Sequence, residues 1–136
     1  TRVLTSDGTA NGAIAESGFT YDGNYVTIYG GERIESDSAS ALGAGTNLVT
    51  TVPTTTGNSC HFEYYVVNGT GAARTGVVMA VWNGSSAAFT DTSTTDLNGT
   101  TEGIAFTVTV SGGNVRLNAV VTTGVWTVKV GTRIIF

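Results

Sequence analysis

Charge is what this chain has least of. Asp, Glu, Lys and Arg make up 12% of its 136 residues, against about 25% in an average soluble domain. Six basic and ten acidic residues leave a net charge of -4 with no Lys/Arg cluster, which excludes phosphate-neutralising nucleic-acid binding. The single cysteine, Cys60, excludes an intramolecular disulfide framework. His61 is the only histidine and adjoins Cys60. Neighbours on a strand point to opposite faces, and zinc needs several His/Cys ligands, so this pair cannot hold one. No run approaches the roughly 20 apolar residues of a membrane-spanning helix, so no membrane insertion is expected. No secretory leader is visible, and the start at Thr1 without a methionine predicts a fragment or a processed product. The one proline, Pro53, suits a strand end or edge. No motif implies a cofactor.

In place of charge the chain carries threonine, serine, asparagine and 19 glycines. Asn68-Gly69, Asn83-Gly84 and Asn98-Gly99 recur fifteen residues apart, and Gly112-Gly113-Asn114 falls almost on the next beat. Asn-Gly tolerates the positive φ angles of a tight hairpin turn, so this spacing predicts a ladder of antiparallel strands. Each Asn-Gly is followed by Ser or Thr and so matches an N-glycosylation sequon, but the turn is reason enough for the triplet. One strand separates successive turns. The Asn68 and Asn98 turns should therefore share one end of the fold, and the Asn83 and Gly112-Gly113 turns the other.

Apolar alternation fills the gaps. Leu48 to Val52 ends at Pro53, and Cys60, Phe62, Tyr64 and Val66 share one face of a strand whose other face carries His61, Glu63, Tyr65 and Val67. Thr75 to Trp82 is apolar on both faces, which predicts a central strand or one that meets a partner. A short strand is expected at Ala87 to Thr90. Ile104, Phe106, Val108 and Val110 alternate with polar or small residues, as do Val115, Leu117, Ala119 and Val121, and Trp126, Val128 and Val130. Roughly six to eight strands from Leu48 onward, with two sheets' worth of inward residues, predict an all-β antiparallel sandwich of jelly-roll type and no helix.

Residues 1–47 differ. Asp7-Gly8, Asn11-Gly12 and Asp22-Gly23 are turn signals between short extended pieces, with Phe19–Tyr21 and Tyr25–Tyr29 as arms of a small hairpin. A lone hairpin is marginal in water, so this segment needs the following domain or copies of itself. Ser36 to Thr46 is rich in Ala and Gly and reads as a connector. The expected division is an extended oligomerisation segment with its connector over 1–47 and a sandwich over 48–136.

Catalytic chemistry finds little to work with. His61 faces Glu63 and Tyr65 but no G-x-S-x-G elbow accompanies it, and it reads as a half-exposed strand residue. Glu32, Glu35 and Asp37 cluster near the connector, and Asp91, Asp96 and Glu102 in a Thr/Ser-rich loop. A glycosidase needs two facing carboxylates at a set separation, and loop acids are ordinarily solvated. Alternation places Tyr64 and Trp126 in the core and leaves Tyr65 and Trp82 as the candidates for an exposed aromatic platform, against which stands core or interface packing, the commoner use of such rings. The chain ends Arg133-Ile134-Ile135-Phe136, an apolar terminus suited to a sheet or a subunit contact. The expected subunit interface is Val78, Ala80, Trp82, Ile134 and Phe136. The expected recognition loops carry Asn68, Thr70, Asp91, Thr92, Asp96 and Asn98, because hairpin loops vary most freely.

The stretch from Leu4-Thr5-Ser6-Asp7-Gly8 through Phe19-Thr20-Tyr21-Asp22-Gly23 resembles short modules that recur in tail-fibre and other virion fibre proteins of bacteriophages, particularly marine ones. Leu42-Gly43-Ala44-Gly45-Thr46-Asn47-Leu48 is similar to the glycine-rich connector that follows such modules. The remainder, from His61-Phe62-Glu63-Tyr64-Tyr65 through Val78 to Gly84, Gly112 to Leu117 and Trp126 to Lys129, is similar to the β-rich C-terminal domains of the same class. The resemblance implies a homotrimeric, non-enzymatic virion protein with a threefold N-terminal segment and a globular knob. Its partners would be its own copies, other virion proteins and a host-surface glycan or protein. Capsid decoration is the alternative within that class, and a carbohydrate-binding or adhesin module of a bacterial secreted protein the alternative outside it. The class supplies no residue-level site.

Overall fold

The structure, a computed structural model, describes residues 2–6, 9, 12–28 and 31–136. The turn signals at Asp7-Gly8 and Asn11, and Tyr29 at the end of the expected hairpin, lie outside the described residues. Eleven strands and no helix are found among the described residues. Four lead the chain: β1 (Arg2–Ser6), β2 (Ala13–Tyr21), β3 (Tyr25–Ile28) and β4 (Glu32–Leu42). Seven follow: β5 (Gly45–Pro53), β6 (Ser59–Asn68), β7 (Ala73–Trp82), β8 (Ala87–Ser93), β9 (Ile104–Ser111), β10 (Asn114–Val121) and β11 (Trp126–Ile135).

They form two antiparallel sheets packed as a sandwich. The large sheet has eight strands in the order β1-β2-β3-β4-β11-β6-β7-β8, and the small one three, β5-β10-β9. The chain crosses between sheets after β4, β5, β8 and β10, and joins neighbours by hairpins elsewhere. Alternation sets the core: Phe62, Tyr64 and Val66 from β6 and Val128 and Val130 from β11 meet Val115, Leu117 and Phe106 of the small sheet. Each such aliphatic side chain withdrawn from water contributes about 1.5–3 kcal/mol. The Tyr64 and Phe106 rings, 4.4 Å apart between centroids, tie the sheets together. Cys60 is fully buried, and burial pushes its thiol up to about 12.

The connector expected over Ser36 to Thr46 is instead strand. β4 runs to Leu42 and pairs with β3 on one side and β11 on the other. Small residues are poor strand formers, but the pairing of Ser36, Asp37, Ser38, Ala39 and Leu42 with β11 overrides that preference. The only break is at Gly43-Ala44, where the Asn47 side-chain amide donates to the carbonyls of Gly43 and Gly45. Residue 47 lies within β5, and β4 before it pairs with β11 in the large sheet. Strand β8 also extends past the expected Thr90 to Ser93, which puts Asp91 and Thr92 on a strand.

Candidate functional site: the open face of the large sheet

The loops at the two ends fall as the fifteen-residue rhythm predicts. Ala73 bridges Leu97, so the Asn68 and Asn98 turns share one end. Thr54 accepts from the Trp82 indole and donates its amide to Gly113, which places the Asn83 and Gly112-Gly113 turns at the other. Of these four turns only Gly112-Gly113 is a two-residue hairpin, both glycines having positive φ (60° and 75°). At Asn68 and Asn83 the side-chain oxygens capture later amides and make longer, Asx-type loops.

The expected recognition residues are largely spent on this architecture. Asn68 Oδ1 accepts from the Thr70 amide at 3.0 Å, the Thr70 hydroxyl at 2.8 Å and the Ala72 amide at 3.0 Å. Asp96 accepts from the amide of Thr101 at 2.7 Å and from its hydroxyl. These bonds, the Thr101 hydroxyl first, hold the Asp96 carboxyl below its usual range. Thr101 also receives Arg74 Nη1, while Nη2 donates to the Ile104 carbonyl at 3.0 Å and Nε to the Tyr64 hydroxyl. Tyr64 in turn donates to Asp91 Oδ1 at 2.9 Å. Burial pushes the Tyr64 phenol up and keeps it a neutral donor. Asn98 sits at φ 57°, a turn conformation. The Arg74 network was not foreseen; an arginine at the mouth of an apolar strand was its one signal.

The carboxylates do not converge. Glu35 pairs with Arg33 at 2.6 Å, Glu32 with Arg133 at 3.3 Å, and Asp37 accepts from Thr50. Among the described residues no three His, Cys, Asp or Glu side chains gather into a metal-binding group.

The expected subunit interface requires correction. Val78, Ala80 and Trp82 are buried inside the protomer, as is Ile134, because β7 pairs Phe62 with Val78 and so inherits the inward parity of β6. Trp82 is thus no exposed platform. Of that set only Phe136 stays exposed. The opposite parity is left uncovered, and it forms one half of the open face. Met79 and Val81 of β7, Ile135 of β11 and Ile34 of β4 are exposed there. Register carries the row across the sheet: Val81 stands beside Ser59, Ser59 beside Ile135, Ile135 beside Glu32, and Glu32 beside Ile28, which faces Phe19. Inside this band His61 Nδ1 accepts from Arg133 at 2.8 Å, since an arginine can only donate. Arg133 also meets Glu32, so the band's polar groups are already paired.

The other half of the open face, toward the Asn68 end, is polar and concave. Gly131 of β11 lies between Ser36 and Glu63, and one row on Lys129 lies between Ser38 and Tyr65. Without a side chain at Gly131 the sheet sinks into an open depression of about 800 Å³, floored by the backbone and walled by Glu63, Tyr65, Lys129, Ser36 and Ser38. A second hollow of about 420 Å³ continues it past Glu63 and Thr75 to Thr92 and Thr94. Tyr65 is 43% exposed, enough to offer a ring face. Alternation had placed Tyr65 and Glu63 outward; a glycine inside a strand was the further signal of a close approach.

Comparison with protein-family models, with curated proteins and with solved structures finds no match for this chain.

Proposed function

We propose that this chain is a non-enzymatic structural protein of a bacteriophage virion, the knob or tip of a fibre, assembled as a homotrimer. The apolar band across the open face supports this reading. It presents large side chains on five strands, from Phe19 and Ile28 through Ile34 and Ile135 to Met79 and Val81, with no described element of the protomer laid over it. Contiguous apolar surface of this kind marks an interaction site. Its central charges are already paired, so covering it strands no lone charge. Copies of the same chain are the partner that is always available, and closed rings are the usual outcome of such assembly. The fibre-like sequence of the first strands fits the same reading, and a capsid decoration protein would use the same surface.

The polar depression favours a second reading, a monomeric carbohydrate-binding module. Molar mass in solution separates the two. A trimer that falls to monomer in Val81→Asp/Ile135→Asp supports the first reading, and a wild-type monomer supports the second.

A further inference from the structure

We infer that the groove over Gly131 binds an extended, uncharged oligosaccharide lying across the strands. The two hollows meet at Glu63 and Thr75 and run over β4, β11, β6, β7 and β8. Four inter-strand spacings of about 4.8 Å make the path roughly 19 Å long. That is a chain-shaped site, not a pocket for a single small molecule.

The chemistry of the walls selects the ligand. Ser36, Ser38 and Thr92 supply hydroxyls along the path, while the Thr75 hydroxyl donates to the Tyr64 carbonyl and the Thr94 hydroxyl accepts from the Thr75 amide. Glu63 offers an acceptor and Lys129 a donor, and their charges cancel, so no strongly charged ligand is selected. A sugar ring needs in-plane hydrogen-bond partners and a flat apolar surface for its C–H face. Tyr65, standing between Lys129 and Thr75 in register, provides that surface.

These groups are also available. Among the described residues Glu63 and Lys129 form no ion pair, and Glu63, Tyr65, Lys129, Ser36 and Ser38 make no side-chain hydrogen bond. The loop residues Asn68, Asp91 and Asp96, by contrast, are committed to internal bonds. A peptide strand would pair with a free sheet edge; under the groove such edges are found only at β8 and at the Ser36–Leu42 stretch of β4, its two ends, while β11, β6 and β7, which carry Gly131, Glu63, Tyr65 and Thr75, are paired on both sides. The site lies within one protomer and stands whether or not the chain is trimeric.

The test is titration calorimetry of the full chain against neutral oligosaccharides of the gluco-, manno-, galacto- and N-acetylgluco- series, with Tyr65→Ala and Gly131→Val alongside the wild type. A Cβ at Gly131 would meet nothing nearer than the Glu63 carbonyl at 4.0 Å, so Gly131→Val fills the groove without straining the sheet. Binding of one series, weakened about ten-fold or more by Tyr65→Ala and by Gly131→Val while melting temperature holds, is the expected result. No binding by the wild type in any series, binding only to acidic oligosaccharides added as a control, or binding indifferent to both substitutions would overturn the inference.

Discussion

The Asn68–Asn98 end and the open face are built from the same residue types, yet they use them oppositely. At the loop end Asn68, Asp96, Thr101 and Arg74 point their polar atoms at one another and at backbone groups. On the open face the side chains of Glu63, Tyr65 and Lys129 are held out by strand alternation and make no hydrogen bond or ion pair among the described residues. A variable-looking loop is thus a structural clasp, and a regular strand face is the surface with chemistry to spare. Substitutions at the clasp should cost stability. Those on the face should cost association or binding.

The largest effect is expected at Arg74. Arg74→Ala strands the Ile104 carbonyl, removes one donor each from the hydroxyl and carbonyl of the buried Thr101, which keep Asp96 and the Ile104 amide, and removes a donor from Tyr64. A loss of about 2–4 kcal/mol in urea unfolding follows from leaving such groups unpaired. A loss under about 1 kcal/mol would show that the clasp does not hold the loop. Asn68→Ala removes one acceptor of three bonds at a more exposed turn, and about 1 kcal/mol is expected from the same measurement.

Acid sharpens the contrast further. The Asp96 carboxyl is held below its ordinary value by Thr101. Its contribution is present above the unfolded value, near 3.8, and is lost as pH falls through the lower folded value. Melts taken from neutral pH down to about pH 2 should therefore show a smaller acid loss in Asp96→Asn than in the wild type. Identical acid profiles would place the sensitivity elsewhere. The smallest stability effect belongs to the open face: Val81→Asp/Ile135→Asp should change the protomer's own unfolding by no more than about 0.5 kcal/mol.

Much of this was legible in the sequence wherever one face alone was apolar. Cys60, Phe62, Tyr64 and Val66, and Trp126, Val128 and Val130, point inward as their alternation predicts. Strand β7 was the failure that matters. Val77, Met79 and Val81 are as apolar as Val78, Ala80 and Trp82, so alternation carries no sign, and only the pairing of Val78 with Phe62 decides which set is inside. β4 escaped notice because Ser36, Ser38 and Ala39 lack β-propensity and owe their conformation to β11, a neighbour distant in sequence. The groove required both corrections: it depends on β4 being strand and on Gly131 standing in register between Ser36 and Glu63.

The central claim is that the apolar half of the open face is covered by further copies of the chain. Light-scattering mass of the wild type beside Val81→Asp/Ile135→Asp tests it most directly. The account predicts a wild type of three chain masses and a variant that is monomeric and fully folded. A monomeric wild type, or a variant that remains a trimer, would contradict it.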